Sequence, residues 1–200
     1  MIVVLGRPRA ARPSRSREPA QRVPAGLCVS IASAAVAAGA RVELVGSIGD
    51  DAVGDAVVLG LSRYGIGHAA LLRDPAAHTP EVGAHPESLP RLDRPDVELG
   101  LGYLVDFRAL FLAEPLDPDA EAGALDEAAF HGAQVVAVLP RGTRPSDRLA
   151  GEATVLEAPA ADDGAFGALL GRFAAELERG VTAADGLARA AAATGWERRS

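Results

Sequence analysis

The sequence predicts an α/β fold with a mostly parallel sheet, and two stretches carry this prediction. Residues 25–54 contain a helix of small apolar residues, a short strand and a glycine–acid turn that opens a second helix. Residues 109–139 place an apolar strand, a helix and a second apolar strand in succession with short connections. Fully apolar strands are typical of a central parallel sheet, and such connections favour right-handed parallel crossovers.

The composition indicates one globular domain over residues 1–200. Hydrophobic residues make up 48% and aromatic residues only 4%, so we expect a core of alanine, valine and leucine. No apolar run approaches the roughly 20 residues that span a membrane. The single cysteine, Cys28, excludes an internal disulfide and suits a reducing compartment, so we expect a cytoplasmic protein with no membrane partner.

The charged residues exclude several classes of protein. The chain has no lysine, whereas Walker A loops, protein kinases and pyridoxal enzymes each require one. The net charge of −7 argues against a nucleic-acid partner, and the four histidines show no metal-ligand spacing, so we expect no metal site in the protein itself. Six arginines fall within residues 1–22, where residues 7–24 are rich in arginine, proline and serine and predict a surface loop.

Caps and hydrophobic periodicity define the elements in order. Helices begin at aspartate or threonine and end at glycine, because these residues satisfy the free backbone groups at helix ends. The predicted strands are residues 1–5, 41–45, 68–72, 109–113 and 134–139. The predicted helices are residues 30–38, 51–64, 96–104, 117–130, 164–180 and 182–194, with Asp96 as one of the caps.

Residues 25–54 resemble the amino-terminal signature of the ribokinase/PfkB family of carbohydrate kinases. Ala25 and Gly26 stand for its glycine pair, and Ser30 takes the position of its asparagine. The G-x-x-G-D-D-x-x-G turn that follows is matched by Gly46, Gly49, Asp50, Asp51 and Gly54. The resemblance extends to residue 140 and over residues 157–194, and it implies a three-layer α/β/α sandwich.

The resemblance also implies a substrate site and an anion site. Gly26, Ser30 and Glu114 take substrate-binding positions, and Asp163 takes the position of the catalytic base. The anion-binding Gly-Ala-Gly of the family corresponds to Ala160, Ala161 and Asp162. The residues by themselves leave alternatives: Glu114 could be a solvated or arginine-paired acid at a strand end, and Asp163 could be a helix N-cap.

The family activity would be transfer of the ATP γ-phosphoryl group, with Mg²⁺, to a sugar or nucleoside hydroxyl. Backbone N–H groups at the helix start would hold the phosphoryl oxygens while Asp163 takes the proton. The alternative is a catalytically degenerate protein that binds a small ligand or a partner without chemistry. Alanine at position 160 disfavours positive φ, and Asp162 places negative charge where phosphate charge must collect.

Two segments depart from the family in length or composition. The nucleotide-side segment between residues 141 and 157 reads as a short connector. Residues 7–24 replace the first half of the family's β lid, contain no substrate-binding aspartate, and predict no paired strand because proline removes backbone donors. The remaining lid strand near residues 79–83 would then have an open edge, so we expect a homodimer.

Overall fold

The structure, a computed structural model, describes residues 1–12, 22–84, 88–160 and 164–196. Its strands are β1 (Ile2–Leu5), β2 (Arg9–Ala11), β3 (Val23–Ala25), β4 (Val42–Gly49), β5 (Leu71–Asp74), β6 (Ala109–Leu112), β7 (Gln134–Leu139) and β8 (Ala153–Glu157). Its helices are α1 (Leu27–Ala37), α2 (Ala52–Arg63), α3 (Arg94–Gly102), α4 (Pro118–His131), α5 (Asp147–Glu152), α6 (Ala165–Glu178) and α7 (Ala183–Thr194).

Six strands form one sheet in the order β5-β4-β1-β6-β7-β8, and each of its pairings is parallel. Alternate side chains of β1 enter separate cores: Ile2 and Val4 pack with α1, α2, α6 and α7, whereas Val3 and Leu5 pack with α3, α4 and α5. This confirms the predicted three-layer α/β/α sandwich. In the part of the chain that the structure describes, no helix is long and apolar enough to cross a membrane.

Most predicted elements are present, with some shifted boundaries. The strand at residues 134–139 is confirmed, whereas β4 runs on to Gly49, so the first part of the predicted glycine turn is strand. Asp93 rather than Asp96 is the N-cap of α3, and Asp96 completes a capping box from the third helical position. The predicted strand at 68–72 is observed later, as β5.

Residues 7–24 supply two paired strands, which contradicts the prediction of a surface loop. In this antiparallel pair Ala10 lies opposite Pro24. The Ala10 N–H donates to the Pro80 carbonyl, and its carbonyl accepts from the Val82 N–H, so the polar groups of Ala10 point away from β3. Pro24 therefore occupies a position that requires no donor, which is why proline is accepted there.

This arrangement removes the open lid edge from which we expected a homodimer, and the homodimer itself stays a prediction. Strand β2 lies between β3 and residues 80–82, so the lid segment has a partner within the same chain. The middle of the arginine-rich segment, residues 13–21, lies outside the described residues.

The segment between residues 141 and 157 is more than the short connector that the sequence predicts. It contains α5, whose N-cap Ser146 accepts from the Leu149 N–H at 3.0 Å, and then β8, which pairs with β7. The weak apolar pattern of this stretch did not reveal a strand, because β8 lies at the edge of the sheet and its side chains are only half-buried.

The glycines of the signature turn are explained by close packing of the backbone. A Cβ atom at Gly49 would lie 2.5 Å from the Thr79 nitrogen, and one at Gly54 would lie 2.5 Å from the Gly49 oxygen. A Cβ atom at Gly46 would overlap the Gly6 carbonyl. The signature therefore brings β4, α2 and residues 77–79 closer together than side chains would permit.

Asp51 joins these same segments through its carboxylate. One oxygen, Oδ1, accepts from the Gly54 N–H at 2.7 Å and from the Thr79 hydroxyl at 2.8 Å, while Oδ2 accepts from the Thr79 N–H at 2.9 Å. Burial alone would raise the pKa of Asp51, but the hydrogen bonds from Thr79, Gly54 and His78 outweigh it and lower that pKa below its usual value.

Because the folded-state pKa of Asp51 is lowered, its carboxylate contributes stability that is complete above the unfolded value of about 4 and is lost as the pH falls through the lower folded value. We expect Asp51→Asn to lower the free energy of unfolding at pH 7 by about 1–3 kcal/mol, since the amide nitrogen cannot accept from Thr79. Urea unfolding of both proteins at pH 7 and at acid pH measures the effect, and the difference between them should shrink in acid.

Asp50→Asn is the matched control, because Asp50 is largely exposed and its bond to Arg73 is long, at 3.3 Å. Equal losses of stability at positions 50 and 51 would contradict the special role of Asp51.

Helices α1 and α6 cross at very short range because α6 carries glycine on the facing side. A Cβ atom at Gly171 would lie 2.6 Å from the Ala35 nitrogen and 2.7 Å from the Ile31 oxygen. A Cβ atom at Gly167 would lie 2.5 Å from the Ser30 Cβ. Backbone atoms cannot rotate away from a new methyl group, so any larger residue must separate the helices.

We expect Gly171→Ala to lower the free energy of unfolding by about 1–3 kcal/mol through overpacking. Gly151→Ala in α5 is the control, because its Cβ would meet no atom within 4 Å and it should gain up to about 1 kcal/mol of helix propensity. Denaturant unfolding compares the two variants. Equal or reversed changes would mean that the α1–α6 crossing tolerates a methyl group.

Candidate functional site

A cleft of about 480 Å³ opens where β1 and β6 end, beside the first turn of α1 and the start of α6. Ligands of open parallel sheets bind at this edge, outside the carboxyl ends of the strands. We call it the main cleft because it holds the predicted substrate-binding residues. It is lined by Gly6, Arg7, Arg9, Gly26, Leu27, Cys28, Ser30, Val82, Ala113, Glu114 and Gly164.

The structure brings the three predicted substrate-binding residues together in this cleft. Gly26 is the N-cap of α1 with φ 97°, a left-handed backbone that favours glycine, and Ser30 lies one turn further along the helix. Glu114 follows the end of β6. Ser30 also contacts α6 at Gly167, so this residue of the cleft lies in the close crossing of α1 and α6.

The structure describes only one of the four residues that were predicted for the anion site and for catalysis. Ala160 lines a neighbouring cleft rather than the main one, and Ala161, Asp162 and Asp163 lie outside the described residues. The residue after them, Gly164, lines the main cleft and is the N-cap of α6 with φ 90°. The alternative prediction that Asp163 caps this helix falls on a residue outside the described ranges.

Glu114 is paired with an arginine, as one of the two alternatives for this residue predicted. The Arg7 Nη1 donates to Glu114 Oε1 at 2.6 Å, and the Arg7 backbone N–H donates to the same oxygen at 3.3 Å. Both side chains are largely buried, with exposed fractions of 17% and 27%. The Arg7 Nε donates to the Pro90 carbonyl at 2.6 Å, which fixes the guanidinium further. The negative charge of the Glu114 carboxylate is therefore compensated by Arg7.

Sequence reasoning missed the two arginines of the cleft. Arg7 and Arg9 are separated by one residue, the buried Pro8. In an extended chain such residues project to the same side, so the Arg-Pro-Arg sequence directly after a strand was the available signal.

Cys28 lies on the cleft wall but is shielded, with 3% of its surface exposed. Burial, helped by the negative charge of Glu114, raises the pKa of its thiol to about 12. The thiol is therefore neutral at physiological pH and unsuited to act as a nucleophile.

The neighbouring cleft, of about 270 Å³, shares Leu27, Ala113 and Glu114 with the first and includes Ala160. Arg141 and Glu114 are the charged side chains of its described lining, and its other described residues are apolar. Small-molecule sites usually enclose about 300–1,000 Å³. Within the described ranges no three histidine, cysteine or carboxylate groups could hold a metal ion. The described part of this cleft is therefore small and mostly apolar.

No protein-family model and no curated protein matches the sequence. Solved structures do match. Aminoimidazole riboside kinase from Salmonella enterica has a TM-score of 0.65 at 14% identity, over 97% of this chain and 92% of that chain. A protein described as ribokinase II from E. coli, in complex with ATP and Mg²⁺, has a TM-score of 0.63 at 13% identity, over 94% of this chain and 89% of that chain. A PfkB protein from Polaromonas sp. has a TM-score of 0.63 at 14% identity, over 95% of this chain and 92% of that chain.

These similarities establish the fold, which is the ribokinase-like α/β sandwich that the sequence predicted. The structural neighbours are sugar and nucleoside kinases, and they include complexes with ATP and Mg²⁺.

The buried Cys28 thiol should react slowly while the chain is folded. With a pKa of about 12, its thiolate fraction at pH 8 is about 10³-fold below that of an ordinary cysteine. We expect iodoacetamide labelling at pH 8, followed by mass spectrometry, to be at least about 10²-fold slower in buffer than in concentrated urea. Cys28→Ser verifies the labelled position. Complete labelling of the folded chain at the unfolded rate would contradict the buried, protonated thiol.

Proposed function

We propose that this protein binds one sugar-like or nucleoside-like small molecule in the main cleft. The observation that carries the proposal is that Gly26, Ser30 and Glu114, which are far apart in the sequence, line one cleft at the carboxyl edge of a ribokinase-like sheet. The cleft volume of about 480 Å³ lies within the range usual for small-molecule sites.

The lining offers the groups that a polyhydroxy ligand needs. The Ser30 hydroxyl can donate and accept, the Glu114 carboxylate accepts, and the guanidinium groups of Arg7 and Arg9 donate. Leu27 and Val82 add apolar surface for the carbon face of a ring.

Binding without phosphoryl transfer is the function that we favour. It is supported by the Arg7–Glu114 ion pair, which compensates the predicted substrate carboxylate, and by the small, mostly apolar described lining of the neighbouring cleft. The replacement of Gly-Ala-Gly by Ala160, Ala161 and Asp162 points in the same direction, because a carboxylate there repels phosphate oxygens.

Phosphoryl transfer is the second candidate, and it is supported by the fold shared with sugar and nucleoside kinases. ATP would supply the phosphoryl group and Mg²⁺ would compensate its charge. The candidate base is Asp163, which would accept the proton of the ligand hydroxyl.

Calorimetry on the full chain separates the two candidates. We expect a panel of pentoses, hexoses and nucleosides to include a binder, and we expect ATP with Mg²⁺ to bind more weakly than about 1 mM. ADP release should not rise above background with that binder.

A micromolar dissociation constant for ATP, together with ADP release that Asp163→Asn lowers by about 10²-fold or more, would establish the kinase instead. Asp50→Asn, on the exposed surface, controls for the loss of a carboxylate. If neither these sugars and nucleosides nor their anionic derivatives bind, the proposed function is wrong.

A further inference from the structure

The charges that line the main cleft do not balance. Arg7, Arg9 and Glu114 are its charged side chains among the described residues. Arg7 and Glu114 pair with each other at 2.6 Å and compensate each other's charge. Arg9 has no ion pair and no side-chain hydrogen bond in the described part of the chain. Among the described residues, the guanidinium of Arg9 therefore has no counter-charge in the cleft.

Arg9 is held in place by its backbone. It is the first residue of β2 and lies opposite Ala25 in the pair with β3. The next residue, Ala10, is fully buried and is bonded to Pro80 and Val82 on its other side. The stem of Arg9 runs beside Gly26, where an added Cβ would lie 3.6 Å from the Arg9 Cγ. The Arg9 side chain therefore extends from a paired strand, next to the predicted substrate-binding residue Gly26.

The surroundings favour an anion at this point. The chain as a whole carries a net charge of −7, yet the described lining of the cleft has one positive charge in excess, which would attract an anion there. The first turn of α1, which contributes Leu27 and Cys28 to the cleft, has neither a side-chain cap nor an acidic residue. A negative group beside Arg9 would therefore meet no acidic side chain from that helix.

We propose that the ligand of the main cleft is an anionic monosaccharide derivative, either a sugar acid or a sugar phosphate, whose negative group binds Arg9. This inference rests on the proposed function, because it names the class of molecule that the cleft takes. The hydroxyl groups of the ligand contact Ser30 and Glu114, and the guanidinium of Arg9 forms paired hydrogen bonds with its carboxylate or phosphate.

The test compares charged and neutral members of matched pairs by calorimetry on the full chain. The probes are ribose against ribose 5-phosphate, and glucose against gluconate, with inorganic phosphate as an anion that lacks a sugar. We expect at least one anionic sugar to bind about tenfold or more tightly than its neutral counterpart, with a preference that declines as salt is added. The phosphate and carboxylate arms show which anion the cleft takes.

Arg9→Gln should abolish this preference and leave the melting temperature unchanged, since the side chain is exposed and unpaired in the described structure. Arg9→Lys should retain part of the preference because it keeps the charge. Arg12→Gln is the matched control: it removes the same charge from the same segment, but Arg12 does not line the cleft, so the preference should persist.

Equal binding of neutral and anionic sugars, or a preference that survives Arg9→Gln, would overturn this inference while the proposed function stands. Inorganic phosphate that binds as tightly as ribose 5-phosphate would also overturn it, because the sugar would then contribute nothing. If no sugar binds, charged or neutral, the proposed function itself is wrong.

Discussion

The carboxylate of Asp51 connects the end of β4, helix α2 and residues 77–79, which lead to Val82 in the main cleft. Its hydrogen bonds to Gly54 and Thr79 hold the start of α2 against residues 77–79. Pro80 and Val82, directly after Thr79, bond to Ala10 and so position β2. The position of Arg9, whose charge lies in the cleft, therefore depends on the hydrogen bonds that Asp51 makes just after β4.

The arginine-rich segment is a structural part of the site. Arg7 and Arg9 follow β1 in extended backbone and line the cleft together, while Arg22, just before β3, pairs with Glu81 at 2.7 Å. Arg7 joins the end of β1 to Glu114 after β6, and Arg22 joins the start of β3 to Glu81. Composition alone suggests a solvated loop here, because the contacts that order these arginines come from residues 59 to 107 positions away in the chain.

The similarity to solved sugar and nucleoside kinases concerns the backbone, since only 13–14% of the residues are identical. A carboxylate that could accept from a ligand hydroxyl is present at Glu114, but Arg7 already donates to it. A small cleft lies where β7 and β8 end, but its described lining is mostly apolar. The described lining of the main cleft is thus rich in charged and polar groups, whereas that of the neighbouring cleft is mostly apolar.

The sequence by itself determined the central strands, the order of helices and strands, and the glycine–acid turn, because these follow from local hydrophobic patterns, caps and close-packed glycines. It also identified Gly26, Ser30 and Glu114, which the fold brings into one cleft. Tertiary structure alone decided that Pro24 lies in a paired strand, that β8 closes the sheet, and that Arg7 compensates Glu114 while Arg9 stays unpaired in the described chain. The physical reason is that strand pairing and charge compensation join residues distant in sequence, so no local pattern records them.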